Sequence, residues 1–405
     1  VDFAPLPARV QAKQNCPLAL TWLGFSFVIS EETHVWTCEP WPYGTGPVHG
    51  QIYDRRTVPG SQELGDVYYS EVSAMLFRVS DNLTIPVKSI SFSIDCDSWT
   101  WAFSAEVLGK EALEAVKPLT DPVEVEAVIN GHRFRAIVEK WNDQYSFNQK
   151  TYTIKGRSPC ALLDKPYVEP TLLNLTSDSS AKQVVENILN PQGYSLDWNT
   201  SLVPDWIIKA EALSVRETPI RQVLHILSAL DVILNVDKAD LVFHVRPRHK
   251  HKSWTWAGQT PDSVLQESFC YSLSGEFIPG RDIDCVYVQG DSAGAVGAKV
   301  IISGEAGNKP LPEITHPLLT DTQACLFRGT QALSYAKIPM RKNTLVTVLN
   351  PPDTNPNLFL PGDFIEFFIE GVSHKGAVAS TSITAAWDDR GLKVIQTLEV
   401  FSIVR

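Results

Sequence analysis

From residue 85 onward, apolar and polar side chains alternate. Ile90, Phe92, Ile94 and Cys96 interleave with Ser89, Ser91, Ser93 and Asp95. A period of two puts one set on one face, which predicts a β-strand with a single buried side. After Asp97 the phase moves to Trp99, Trp101, Phe103, Ala105 and Val107. That slip predicts a bulge or sharp bend at 96–98, as the corner of a barrel needs. Residues 123–129 and 132–138 alternate on either side of Asn130 and Gly131. Asn-Gly between two such runs is the strongest short hairpin signal. Residues 152–157 predict a further strand.

Between 178 and 246 the period changes. Ser180 is a candidate cap for a helix over 181–190, with Val184, Val185, Ile188 and Leu189 on one face. Pro191 and Gly193 stop it. Pro219 opens a second helix whose stripe is Ile220, Val223, Leu224 and Leu227. Residues 232–236 and 241–245 predict a hairpin. From about 280 the β pattern returns. Residues 285–288 and 296–302 flank a glycine-rich turn, a helix is predicted over 321–336, and strands over 344–349, 363–369, 376–384 and 393–404. The expected fold is mainly β: two β-barrels, 81–165 and 261–405, the second carrying one helix, separated by a small inserted α/β domain, 166–260. Residues 1–80 predict an extended, partner-contacting arm, because 39–60 are dominated by proline, glycine and aromatics. The apolar run 17–28 is interrupted by Pro17 and Thr21 and reads as a strand or partner-binding segment, not a signal peptide.

The 405 residues give room for two to four domains. No run approaches the roughly 20 apolar residues of a membrane-spanning helix, so stable membrane insertion is not expected. The net charge of −11 argues against a dedicated nucleic-acid binder, which needs a basic face. An acidic wall still lets a duplex pass without gripping it. The seven cysteines are odd in number, widely spaced and without a Cys-x-x-Cys pair. They read as buried free thiols of a reducing compartment, and no metal or other cofactor is expected.

Candidate chemistry is sparse. Residues 290–294 read Gly-Asp-Ser-Ala-Gly, the form of a nucleophile elbow around Ser292. An elbow needs a strand–turn–helix. Here the motif joins two predicted strands, so a hairpin turn is expected. Asp95 and Asp97 share a strand face, yet no cleft is evident for acid–base work, and they read as solvent-facing polar residues. Residues 246–252 form the one basic run, with His249 and His251 at a spacing that could hold a metal on a strand. A solvated loop or a patch against an acidic neighbour is the simpler reading. Arg246, Arg248, Trp254 and Trp256 are then the candidate interface residues. The eleven tryptophans invite a sugar-binding reading, but Trp99, Trp101, Trp198 and Trp206 fall where they would pack a core. No catalytic residue is assigned, and the chain is not expected to be an enzyme.

These pieces recur in a familiar order. The bent strand at 89–107 is followed by the Asn-Gly hairpin ending in Tyr152-Thr-Ile-Lys-Gly-Arg-Ser158. The helix at 181–190, Leu196-Asp-Trp198 and Thr218-Pro-Ile220 come next. Asp284-Cys-Val-Tyr-Val-Gln-Gly290, Leu360-Pro-Gly-Asp363 and Val394-Ile-Gln-Thr-Leu-Glu-Val400 close the series. Over 85–405 this resembles the tail-hub family of phage baseplates, including Mu-like tail proteins and the hubs of related contractile devices. The long N-terminal arm departs from the Mu-like pattern and suggests a long, non-contractile tail. The resemblance implies a homotrimer with two similar barrels per subunit, forming a pseudo-sixfold ring. Such a ring joins the tail tube or distal tail protein above to a threefold tip, fibre or spike below. A tape-measure protein or DNA would occupy the lumen. It also implies a place in the virion tail tip after assembly in the bacterial host cytoplasm. The rival readings are a receptor- or glycan-binding tail protein and a tail-associated cell-wall hydrolase. In a ring, acidic residues should line the lumen, and the basic run should face outward or pair with a neighbour's carboxylates.

Overall fold

The computed structural model describes the backbone of four strands near the N-terminus and then residues 72–404, apart from 148, 353 and 390. The chain divides into two compact units, Val1–Tyr69 and Ser70–Arg405. In the first, Leu18–Trp22 pairs antiparallel with Phe25–Ile29, and Val35–Thr37 with His49–Gln51. The run 17–28 is therefore largely strand. The proline- and aromatic-rich stretch 39–47, read as an arm, lies outside the described residues, as do Cys16 and Cys38.

The second unit begins with β1 (Ala74–Arg78), β2 (Leu83–Ile85), β3 (Val87–Asp95), β4 (Ala102–Val107), α1 (Lys110–Val116), β5 (Val123–Ile129), β6 (His132–Ser146) and β7 (Gln149–Arg157). Hydrogen bonding runs β2-β1-β5-β6-β7-β4-β3. The alternation explains the core: Ile90, Phe92 and Ile94 are buried, and Phe92 packs on Phe103 at 5.0 Å and Phe134 at 4.8 Å. The bend expected at 96–98 is a full reversal, because β3 and β4 pair antiparallel. Asp95 sets the turn: its carboxylate accepts the Asp97 N–H at 2.8 Å and its carbonyl the Ser98 N–H at 3.2 Å. The bulge in β3 lies instead between Val87 and Ser89. Asn130 and Gly131 have φ of 47° and 81°, the pair of left-handed values a type I′ turn requires.

The inserted lobe holds α2 (Ala181–Leu189), β8 (Ser195–Trp198), α3 (Pro219–Ser228), β9 (Ile233–Val236) and β10 (Val242–Arg246). Ser180 caps α2 by accepting the Gln183 N–H, and Pro219 is the first residue of α3. The expected β9–β10 hairpin is present, and β8 adds to it parallel to β10. Trp101 ties this lobe to the large sheet by donating its indole N–H to the Val236 carbonyl at 3.1 Å.

The chain then forms β11 (Ser263–Leu265) and β12 (Cys270–Ile278), leaves the large sheet for β13 (Cys285–Gln289), β14 (Gly297–Ile301), β15 (Pro310–Thr315) and α4 (Thr322–Ala336), and returns as β16 (Met340–Val348), β17 (Phe364–Ile369), β18 (Val372–Asp388) and β19 (Gly391–Ile403). Strands β13 to β15 form a sheet of their own. The excursion packs on the insert: Trp206 donates to the Leu318 carbonyl at 2.9 Å, and Thr320 to the Ile207 carbonyl at 2.7 Å. The α/β lobe is thus built from two separated stretches.

The two barrels expected from sequence correspond to two blocks of one 13-stranded sheet, and no hydrogen-bonded closure of either block is seen among the described residues. Block two runs β12-β16-β19-β18, with β17 on the other side of β18 and β11 beyond it. A seam joins the blocks where β18 pairs antiparallel with β3, from Ser380 opposite Asp95 to Ala386 opposite Ser89. The seam exists because β18 outruns β17, which pairs it only up to Ala377 and leaves residues 380–386 a free side.

The blocks repeat each other. Strands β3, β4, β5, β6 and β7 have the same mutual neighbours as β12, β16, β17, β18 and β19. The β17–β18 turn has Glu370 at φ 50° and Gly371 at 75°, matching Asn130 and Gly131. Bulges fall at matching places: Val138/Lys140 in β6 and Val378/Ser380 in β18, Val87/Ser89 in β3 and Cys270/Ser272 in β12.

Phe92 lies at the seam and is fully buried. Phe92→Ala is expected to cost about 3–5 kcal/mol through lost burial and a residual cavity. Urea denaturation checks this, and a loss below about 1 kcal/mol would show that the seam tolerates a void.

Candidate interaction surfaces

Strand β10 delivers Arg246 to the edge of the lobe, and Pro247, which has no backbone N–H, ends it. The basic run then crosses toward the large sheet, where Arg246, Arg248 and Lys250 each meet a carboxylate of the same chain. Arg246 donates to Asp363 at 2.9 Å. Arg248 donates to Asp231 at 2.9 Å and also to Asp97, while Arg328 shares Asp231. Lys250 pairs with Asp262. Asp97 sits in the β3–β4 turn, Asp262 just before β11 and Asp363 just before β17. The run therefore clasps the lobe to both blocks. Burial pushes the Asp363 carboxyl up, and it is held by the Leu360 N–H and Arg246.

This placement differs from the surface patch expected at Arg246, Arg248, Trp254 and Trp256. Trp256 is 1 % exposed, donates to the His251 carbonyl at 2.9 Å and packs on Phe364 at 5.6 Å. Trp254 packs partly buried against the main core. Neither arginine offers a free guanidinium to nucleic acid, and the carboxylates needed come from this chain, not a neighbour. A cleft of about 630 Å³ beside the clasp is lined by Asp97, Asp231, Arg248, His249, Arg328 and Tyr335, among others. His249 and His251 point to different surroundings: His249 contacts Tyr335 and Trp256, His251 contacts Phe364. Among the described residues no group of three or more His, Cys, Asp or Glu side chains could hold a metal ion.

Residues 290–294 form the turn between β13 and β14, antiparallel strands with no helix following. The Ser292 hydroxyl donates to the Pro317 carbonyl, so its proton is not on a base. The neighbouring His316 does meet a serine, but with the wrong polarity for a nucleophile–base pair. Its Nδ1 accepts the Leu318 N–H at 3.2 Å, so Nε2 carries the proton and faces Ser228 Oγ at 3.0 Å. Ser228 in turn donates to the His225 carbonyl at 2.7 Å. Asp95 and Asp97 are absorbed by the β3–β4 turn and the clasp. Trp198 and Trp206 pack together at 6.1 Å inside the lobe, and Trp99 and Trp101 are buried. Cys160, Cys285 and Cys325 are buried free thiols, with Cys96 and Cys270 partly so, and burial raises Cys160 to about 11.

Exposed aromatic side chains also lie on two strand edges that the sequence reading passed over. The outer half of β6 runs past the end of β5 and carries Trp141 and Tyr145, the latter 60 % exposed. Among the described residues strand β12 pairs only with β16, and it carries Tyr271 and Phe277, the latter 61 % exposed. The available signal was the pair of aromatics Trp141 and Tyr145, four apart and so on one strand face, beyond 138.

No protein-family model and no curated protein matches the chain. Solved structures do. The tail protein from Neisseria meningitidis MC58 superposes with a TM-score of 0.56 at 12 % identity, covering 82 % of this chain and 97 % of that one. The 43 kDa tail protein of prophage MuSo2 from Shewanella oneidensis gives 0.55 at 17 % identity, covering 82 % and 98 %. The chain shares the fold of these tail proteins.

Arg248→Ala removes the cation from Asp97 and leaves Asp231 to Arg328, and because these pairs are partly exposed it is expected to cost about 1 kcal/mol, less at high salt. Thermal melts at low and high salt check this, and an unchanged Tm would show the clasp to be idle. A pH effect follows from His249 and His316, each held down at about 4, first by burial and then by Arg248 and His225 respectively. Unfolding lets both take a proton near their ordinary value, so their contribution is whole above about 6.5 and is lost as pH falls toward 4. The urea midpoint should drop between pH 7 and 4.5, with a smaller drop in His249→Gln. An equal drop in that variant would remove His249 from the account.

Proposed function

We propose that this chain is the hub subunit of a phage-type tail tip or baseplate, a structural component and not an enzyme. The observation that carries the reading is the repeat of two matched β blocks in one chain, joined by a strand-paired seam, in a fold shared with two tail proteins, one of them from a prophage. Two alike blocks per subunit are what a ring of three subunits needs to present six similar units to a sixfold tube and three to a tip. In this reading each block acts as a tail-hub barrel. The tube or distal tail protein sits above, a tip, fibre or spike protein below, and a tape-measure protein or DNA passes through the lumen. The site is the virion tail tip, assembled in the host cytoplasm. Pairing of Arg246, Arg248 and Lys250 with carboxylates of the same chain fits a lumen that does not grip phosphates.

The competing reading, a glycan-binding tail protein, draws on the exposed Trp141 and Trp387. Mass photometry and negative-stain imaging separate the two. The hub reading expects a ring of three copies that stacks on purified tube protein. A monomer that leaves the tube bare and binds cell-wall glycan would overturn it.

A further inference from the structure

The internal repeat carries more than kinship between blocks. Tracing the ladder from the bulge in β6 links Lys140 to Lys155, Lys155 to Ser104, and Ser104 to Ser91. The same trace from the bulge in β18 links Ser380 to Glu399, Glu399 to Thr344, and Thr344 to Ser274. Residue 140 thus corresponds to 380, and 91 to 274. The assignment checks itself, since it places Ser89 on Ser272, each the first residue after a bulge.

In this chain the outer half of β18 is occupied: residues 380–386 take β3 as their partner. The counterpart in block one is the outer half of β6, residues 140–146. The counterpart of β3 in block two is β12. Neither is paired with a second strand on that side among the described residues. Each subunit therefore carries half of a seam at each end, and the halves match each other, not themselves.

We infer that β12 of one copy adds antiparallel to the outer half of β6 of the next copy, reproducing the β3–β18 seam between subunits. This rests on the ring reading above and gives it a surface and a register. Carrying the seam across puts Trp141 opposite Phe277 and Tyr145 opposite Leu273. These positions correspond to Thr381 opposite Ile94 and Ala385 opposite Ile90, all buried within the chain. Two aromatics left exposed on the free edges, Trp141 and Phe277, thus meet directly, and Tyr145 meets the half-buried Leu273. Charge fits as well. Asp143 falls opposite Gly275, and over Gly275 lies the Arg341 guanidinium: a Cβ added there would sit 2.0 Å from Arg341 Nε. Among the described residues neither Asp143 nor Arg341 makes an ion pair, so an incoming Asp143 meets an available cation. Glycine at 275 leaves Arg341 the room to cross the edge. Because the two edges differ, the contact is head-to-tail, which generates rings when the rotation closes. The pairing also covers a long, partly apolar edge that would otherwise invite aggregation.

The register is tested with the full chain. Gln144 and Ser274 fall directly opposite in the proposed seam, whereas within one copy they pair with Thr151 and Thr344. A chain carrying Gln144→Cys and Ser274→Cys should oxidise into covalently linked closed rings. Gln144→Cys with Ser272→Cys, two residues out of register, should link at least tenfold less. Both sites are exposed, and near-UV circular dichroism verifies folding. Asp143→Arg and Arg341→Asp should each weaken assembly at least tenfold, and the double exchange should restore it. Rings that form without the 144–274 link would overturn this pairing and leave the hub reading standing. A chain that stays monomeric and unlinked would overturn both. Linked but open-ended chains would uphold the pairing and overturn the ring.

Discussion

The seam between β3 and β18 is the constraint on which the rest of the second unit depends. Backbone N–H and C=O groups in a sheet interior need partners on both sides. Once β18 outruns β17, its free side has to be met by another strand, and β3 meets it. The side chains follow the backbone: Ile90, Phe92 and Ile94 bury the same face as Thr381, Ile383 and Ala385. The blocks cannot separate without exposing both a row of polar backbone groups and an apolar stripe.

Charge plays a supporting part, placed mainly around that seam. Arg248 reaches Asp97 in the turn that closes β3, while Arg246 and Lys250 hold the carboxylates leading into β17 and β11. Partly exposed pairs of this kind contribute modestly one by one. Their value lies in direction, since a guanidinium that bridges two carboxylates fixes where the lobe sits on the sheet. Arg246, Arg248 and Lys250 are thereby engaged within the chain itself.

Repetition with one difference accounts for the exposed edges. A block with an internal partner buries its seam residues, as Thr381 and Ile94 do. The matching positions in the other halves, Trp141 and Phe277, are large and exposed. Larger aromatics suit a contact made between separate molecules, because association must offset lost translational and rotational freedom that a contact within one chain does not face.

The sequence by itself determined the local elements. Alternation from Ser89 to Asp95 dictated β3, Asn130 and Gly131 dictated their turn, and Ser180 and Pro219 marked the helix starts, because each depends on near neighbours in the chain. It also placed Ser292 in a hairpin turn, since 293–297 are too rich in glycine to open a helix and two strand patterns flank them. What it left undecided is whatever pairs distant segments. The slip at 96–98 looked like a bend because periodicity reports a change of face, not a reversal of direction. The basic run looked like a surface patch because Asp97, Asp231, Asp262 and Asp363 are brought to it only by the fold. Strand β12 was passed over although Tyr271, Leu273 and Phe277 alternate with Ser272, Ser274 and Glu276. The joining of two blocks into one sheet was decided by tertiary structure alone, since pairing depends on which strand edges the packed core leaves free.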